Sequence, residues 1–207
     1  MTHTYAAYKR PISGQKTYTD WKWRAGKQIF QANGQEKKAG VAILISDKID
    51  FQRRAIKRDP EGHFIILKGR IHQQDINIVN IYAPNIGATK YIKKILEDFK
   101  KDIDSNTIIV RDFNTPLSNM DRSSKQNINK DIVALNNALD EMDLTDIYRA
   151  LHPKEGKYTF FSNAHGTFSK IDHMLGHKTS LNKFKKIEIK ASIFSDHKGL
   201  KLETNVK

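Results

Sequence analysis

Four short clusters in this sequence hold residues whose types and spacing can hydrolyse a phosphodiester. The first runs Asn80, Ile81, Tyr82, Ala83, Pro84, Asn85, and the second Asp112, Phe113, Asn114. The third is Lys170, Ile171, Asp172, His173, and the fourth Ser195, Asp196, His197. Oxygen donors such as Asp112, Asn114 and Asp196 suit a hard cation, Mg²⁺ or Mn²⁺. Such a cation polarises a phosphoryl group and stabilises the leaving oxygen. His197 can take a proton from water, because an imidazole titrates near neutral pH. Asp172 can hold that imidazole in one tautomer, as a carboxylate does in a hydrolase triad. Tyr82 and Asn114 can donate hydrogen bonds to the charge that develops on the phosphoryl oxygens. Singly each cluster is weak. Asp-Phe-Asn after a strand is ordinarily a turn, since Asp and Asn hydrogen-bond their own backbone. Four clusters in this order are far more specific.

Strands must position these groups. Residues 39–46 (AGVAILIS) and 63–68 (HFIILK) are short apolar runs and predict buried strands. Residues 75–82 (DINIVNIY) predict a strand with one break in alternation, ended by Pro84. Residues 107–110 (TIIV) predict another. Residues 89–103 set Ile92, Ile95, Leu96, Phe99 and Ile103 on one helical face, with Lys93, Lys94, Lys100 and Lys101 opposite. Residues 131–142, with Val133, Leu135, Leu139 and Met142, predict a second helix. Further strands are expected at 158–162, 169–175, 186–191 and 200–205. Strands with interleaved helices predict an α/β or α+β sandwich, with the clusters on loops at one rim. The first 25 residues show no clear period.

Composition narrows the chemistry. The chain has 207 residues, no cysteine, and 36 Lys+Arg against 23 Asp+Glu, a net charge of +13. Lack of cysteine excludes disulfide scaffolds, zinc fingers, iron–sulfur sites and thiol catalysis. The apolar share is 38% and the mean hydropathy −0.63, enough for a core. No run approaches 18 apolar residues, and the start lacks the apolar core of a secretory signal. A nuclear or cytoplasmic protein is expected, neither secreted nor membrane-bound. The excess positive charge points to a polyanion, nucleic acid first and an acidic membrane surface second. Its main pairs are Lys37–Lys38, Arg53–Arg54, Lys57–Arg58, Lys93–Lys94 and Lys185–Lys186. A solvated surface accounts for Lys93–Lys94 most simply.

The strings NIYAPN, DFNTPLS, DRS, DIYR, YTFFS, FSKIDH and SDHKGL, in this order, resemble the endonuclease domain of mammalian LINE retrotransposons. That domain belongs to the endonuclease/exonuclease/phosphatase superfamily, with exonuclease III, apurinic endonucleases and DNase I. The resemblance runs from about Gln28 to the C-terminus, through QANGQEKKAGVAILISDK and KRDPEGHF. It implies a DNase I-like domain over 28–207, preceded by a divergent segment, 1–27. The implied fold is α/β: a four-layer sandwich of two packed mixed β-sheets flanked by helices. The implied activity is Mg²⁺-dependent nicking of DNA by a monomer. By this resemblance Tyr82 is the active-site tyrosine, and Asp112 and Asn114 bind phosphate and metal and polarise the nucleophile. Asp172 orients the catalytic histidine, His197, and Asp196 is a metal ligand. Thr159, Ser195 and Asn85 contact the substrate.

Three departures qualify this. Family members begin with a strand ending in Asn, a helix, and a strand ending in Gln-Glu, whose Glu is the principal metal ligand. Residues 1–35 here contain no Glu, and Asp20 is their only acid. One sheet is therefore expected to be incomplete at its N-terminal side. Losing a single preorganised electrostatic group costs roughly 10²–10³ in rate, so weak or absent cleavage is expected. The alternative is a catalytically inactive, basic nucleic-acid-binding remnant of a retrotransposon. Second, Arg111 stands where the family has Gly, beside Asp112. Third, Lys198 follows the Ser-Asp-His string, where family members vary. A phosphorylated lipid or inositol substrate fits the KIDH and DFNTPL strings poorly.

Overall fold

Period-two alternation with apolar residues on both faces builds the central sheet. The computed structural model describes residues 6–9, 28–33, 40–84, 86–124, 127–191 and 196–205. Its strands in chain order begin with β1 (Ala6–Lys9), β2 (Gln28–Asn33), β3 (Gly40–Ile45), β4 (Phe51–Arg58), β5 (Phe64–Ile71) and β6 (Gln74–Tyr82). Helix α1 (Ala88–Asp98), β7 (Thr107–Asp112), helix α2 (Lys130–Glu141), β8 (Leu144–Asp146) and helix α3 (Ile147–Leu151) follow. The chain continues with β9 (Phe160–Ser162), β10 (Thr167–Ser169), β11 (Asp172–His177), β12 (Phe184–Lys190) and β13 (Gly199–Thr204).

Six strands pair in the order β4-β5-β6-β7-β11-β8. Neighbours are antiparallel except β6 and β7, whose parallel pairing needs a crossover, supplied by α1. On one face, Val79, Ile81, Ile109 and Leu175 pack against Ile92 and Leu96 of α1 and Leu135 and Leu139 of α2. On the other, Ile65, Leu67 and Ile78 pack against Phe30, Ile43 and Ile45 of the small sheet β1-β3-β2. Beside that sheet, Ile108 and Met174 pack against Phe184, Ile187 and Leu202 of the β12–β13 hairpin and Ile147 of α3. Consecutive residues thus serve opposite faces, Ile65 and Ile66 or Ile108 and Ile109 for example, which is why these strands read as unbroken apolar runs.

The result is an α/β sandwich, as expected. Within the described residues its smaller β layer is antiparallel throughout, not mixed, and consists of two separate sheets. The strand expected at 169–175 is broken. The Lys170 N–H leaves the ladder for the Asp121 carbonyl (2.7 Å) and the Ile171 N–H goes to the Thr159 hydroxyl (3.1 Å). The first helix stops at Asp98, capped through Phe99, before reaching Ile103. In the second, Val133 is exposed and the buried face is Ile132, Leu135, Ala138 and Leu139. Strand β4 was hidden by Arg53, Arg54, Lys57 and Arg58, the charged side chains typical of a sheet edge. Among the described residues no helix is long and apolar enough to cross a membrane.

Gly69 shows how closely β4 and β5 are packed. A Cβ there would lie 2.3 Å from the Phe51 ring and 2.8 Å from the Gln52 carbonyl oxygen. Gly69→Ala should therefore lower the unfolding free energy by about 1–3 kcal/mol, measured by urea denaturation.

Candidate active site

Strand register lines up three of the expected residues. Tyr82 is opposite Asp112 in the parallel β6–β7 ladder, and Asp112 is opposite Asp172 in the antiparallel β7–β11 ladder. Directly opposed residues keep their Cβ atoms about 5 Å apart on one face. Tyr82, Asp112 and Asp172 therefore form a row across three strands at one end of the sheet. The turn after β7 fastens this row. Asn114 adopts φ 47°, in the left-handed region. Its N–H donates to an Asp112 carboxylate oxygen at 2.9 Å and its side-chain amide to the Ala83 carbonyl at 3.1 Å. The N–H of buried Phe113 donates to the Ile171 carbonyl at 2.7 Å.

His197 reaches the row from the connection between β12 and β13. Its Nδ1 lies 2.9 Å from Asp172 Oδ2, and its ring packs on Phe160 at 4.8 Å between centroids. Asp112, Asp172 and His197 each offer a ligand atom within 4.8 Å of the others, a group that could hold a metal ion. Asp196 is exposed and contributes its charge to His197 without joining that group. Burial works against a charge on the imidazole. The Asp172 hydrogen bond and the charges of Asp172, Asp112 and Asp196 outweigh it, and the His197 pKa stands above its usual 6.5.

Thr159 departs from its expected part. It is fully buried, so its side chain has no surface to offer a DNA strand. Its hydroxyl accepts the N–H groups of Ile171 (3.1 Å) and Asp172 (3.2 Å), and its carbonyl accepts that of Lys198 (2.8 Å). It fixes the backbone on either side of the Asp172–His197 pair. Asn80 is buried too, its amide donating to the Ala42 carbonyl at 3.0 Å. Asn85, Ser195, Asp20 and the Lys37–Lys38 pair lie outside the described residues, as does the Arg111 side chain. Among the basic pairs, Arg54 meets Asp75 (3.2 Å), Lys57 meets Asp102 (3.9 Å), Lys93 meets Glu97 (3.7 Å) and Lys186 meets Glu188 (3.0 Å).

The sequence reading gave Lys170 and His173 no role, and Asp146 none either. All three meet beneath the site. Lys170 and His173 are fully buried and Asp146 nearly so. The Lys170 ammonium donates to Asp146 Oδ2, and His173 Nδ1 lies 2.7 Å from the same oxygen. His173 Nε2 meets the Thr115 carbonyl at 3.1 Å, and its ring packs on Phe113. Burial would raise the Asp146 pKa, but Lys170 and His173 hold it well below the carboxylate range. Its other oxygen accepts the N–H groups of Tyr148 (2.9 Å) and Arg149 (3.4 Å) and so caps α3. The available signal was the pairing of DIYR with KIDH, two strings whose Asp146, Arg149 and Lys170 the chemistry does not use.

No protein-family model matches the chain. It is 24% identical over 192 residues to the transposon TX1 uncharacterized 149 kDa protein of Xenopus laevis, covering 90% of this chain and 14% of that protein. The endonuclease domain of TRAS1, a telomere-specific non-LTR retrotransposon, superposes with TM-score 0.68 at 15% identity, covering 87% of this chain and 80% of that one. An AP endonuclease from Archaeoglobus fulgidus gives 0.72 at 19% identity, over 98% and 89% of the two chains. The 3' phosphatase NExo from Neisseria, bound to a product DNA hairpin, gives 0.73 at 16% identity over the same shares. The chain thus has the α/β sandwich fold of the exonuclease and AP endonuclease proteins. A retrotransposon endonuclease domain is among the structures that share it.

Two measurements follow from the geometry. In the metal-free protein, His197 should titrate above 6.5 by NMR, and Asp172→Asn should bring it down. Because the folded pKa is raised, the stability this pair contributes is fully present below 6.5 and is lost as pH rises through the folded value. Separately, Lys170→Met breaks a buried pair and should cost about 3–5 kcal/mol in urea unfolding.

Proposed function

We propose that the chain is a DNA endonuclease of the LINE retrotransposon type, dependent on Mg²⁺ or Mn²⁺ and slow. The observation that carries this is the meeting of Asp112, Asp172 and His197 within 4.8 Å, with His197 hydrogen-bonded to Asp172. The oxygen donors Asp112, Asp196 and Asn114 are a set that suits a hard cation, with His197 held beside them by Asp172 as the base. A cation held there would offset phosphoryl charge and stabilise the leaving oxygen.

The side chains divide the remaining work. With Nδ1–H directed to Asp172, His197 Nε2 takes the proton of the attacking water, and Asp172 stabilises the imidazolium that results. Asn114 and Tyr82 donate to the phosphoryl oxygens, while Asp112 orients Asn114 through its backbone N–H. The raised His197 pKa means that the base is neutral only toward higher pH, so cleavage rises with pH on its acid limb. Asn85 and Ser195 contact the substrate, and the +13 charge supplies attraction to DNA. The protein acts as a monomer in the nucleus or cytoplasm.

Slowness follows from residues 1–35, which hold no glutamate and a single acid, Asp20. The same observation favours a second reading, a basic protein that binds nucleic acid without cutting it.

Supercoiled plasmid in Mg²⁺ separates the two. Slow nicking is expected, stopped by EDTA and reduced at least about 10²-fold by His197→Ala, the low end for a general base. Rapid nicking would refute the slow rate. Salt-sensitive DNA binding with no His197-dependent nicking would establish the second reading.

A further inference from the structure

A second imidazole–carboxylate pair lies against Tyr82, in the hairpin that joins β4 to β5. His63 extends the β5–β6 ladder by one residue, its carbonyl accepting the Tyr82 N–H at 2.6 Å. Its ring is nearly parallel to the Tyr82 ring, with 9° between planes and 6.4 Å between centroids, within the range of offset stacking. The Tyr91 ring of α1 meets the imidazole edge-on at 5.8 Å. The hairpin fixes the imidazole in turn. Asp59 Oδ2 accepts the His63 N–H at 2.8 Å and lies 3.2 Å from His63 Nδ1. Glu61 stands 3.4 Å from the same nitrogen. Asp59 is tied into the turn, its N–H donating to the Phe64 carbonyl at 3.0 Å and its carbonyl accepting the Gly62 N–H at 3.1 Å.

We propose that His63 is a positioning residue for Tyr82: its ring, clamped between Asp59 and Tyr91, sets the angle of the tyrosine ring at the site. The proposal rests on the nuclease reading for what Tyr82 does, and on the contacts above for what His63 does. A phenol that donates to a phosphoryl oxygen needs a fixed ring direction, because hydrogen bonds weaken steeply away from linearity. Strand pairing fixes the Tyr82 backbone, but its two side-chain torsions need a neighbouring surface. The flat face of His63 provides one and Tyr91 keeps that face in place. A histidine that only closed the hairpin would leave Tyr82 indifferent to its replacement.

The test uses His63→Ala, His63→Phe, Tyr82→Phe and the double variant His63→Ala/Tyr82→Phe, with thermal melts to confirm folding. Tyrosine-ring NMR signals, assigned with Tyr82→Phe, report the position of Tyr82 whether or not the protein cuts DNA. The Tyr82 signals should move in His63→Ala and return in His63→Phe, which keeps a flat ring. Nicking by His63→Ala should fall about tenfold, as for a small misplacement of a reacting group. It should fall no further when Tyr82→Phe is already present, since residues acting as a unit are not additive. Tyr82 signals unchanged in His63→Ala, a His63→Phe variant no better than His63→Ala, or fully additive losses would each overturn the proposal. Equal nicking by the wild type and His197→Ala would instead refute the nuclease reading, and the NMR comparison would still decide the role of His63.

Discussion

The site depends on a buried charge cluster that never touches its surface. Asp146, Lys170 and His173 are out of water together, and an isolated buried ion costs several kcal/mol. Mutual pairing offsets that cost, and each partner carries a piece of the site. Lys170 and His173 flank Asp172 in the chain. His173 also reaches the Thr115 carbonyl and the Phe113 ring, and so steadies the turn that carries Asp112 and Asn114. Asp146 caps α3, which packs against β11 and β12. Lys170 turns inward in the two-residue break between β10, which ends at Ser169, and β11, which begins at Asp172.

Above that cluster hydrogen-bond register brings the carboxylates together. Tyr82, Asp112 and Asp172 come from three strands far apart in sequence, and only the β6–β7–β11 pairing sets them in a row. A slip by one residue would turn each side chain to the other face of the sheet. Both faces are packed, by helices on one side and small sheets on the other, so a slip would also bury polar residues in place of Ile and Val. The cores thereby protect the geometry of a polar row at their margin.

The sequence marked the residues of the row and much of the sheet. Apolar runs marked β3, β5, β6 and β7 because those strands are covered on both faces. Strand β4 was illegible, since an edge strand with four cations has no alternation to read. Strand β8, three residues long, is too short for any period. Asp172 and His197 were readable as a pair, because an Asp-His string opens one strand and a Ser-Asp-His string comes just before another. The place of Thr159 was not legible, since its type permits a surface contact and only the fold shows that it is buried with its hydroxyl accepting two backbone N–H groups. Lys170 and His173 share a string with Asp172. Nothing in residue type says that a lysine points inward, and that depends on Asp146, more than twenty residues away in sequence.

The division of the smaller β layer has a consequence for how the molecule opens. The sheet of β1, β2 and β3 and the hairpin of β12 and β13 rest on the central sheet through separate apolar cores. Regions with separate cores exchange their amide hydrogens as separate cooperative units. His197 belongs to the connection of the β12–β13 unit, while Asp112 and Asp172 belong to the central sheet. The His197–Asp172 hydrogen bond therefore joins two units with separate cores, and the site is complete only while both are in place.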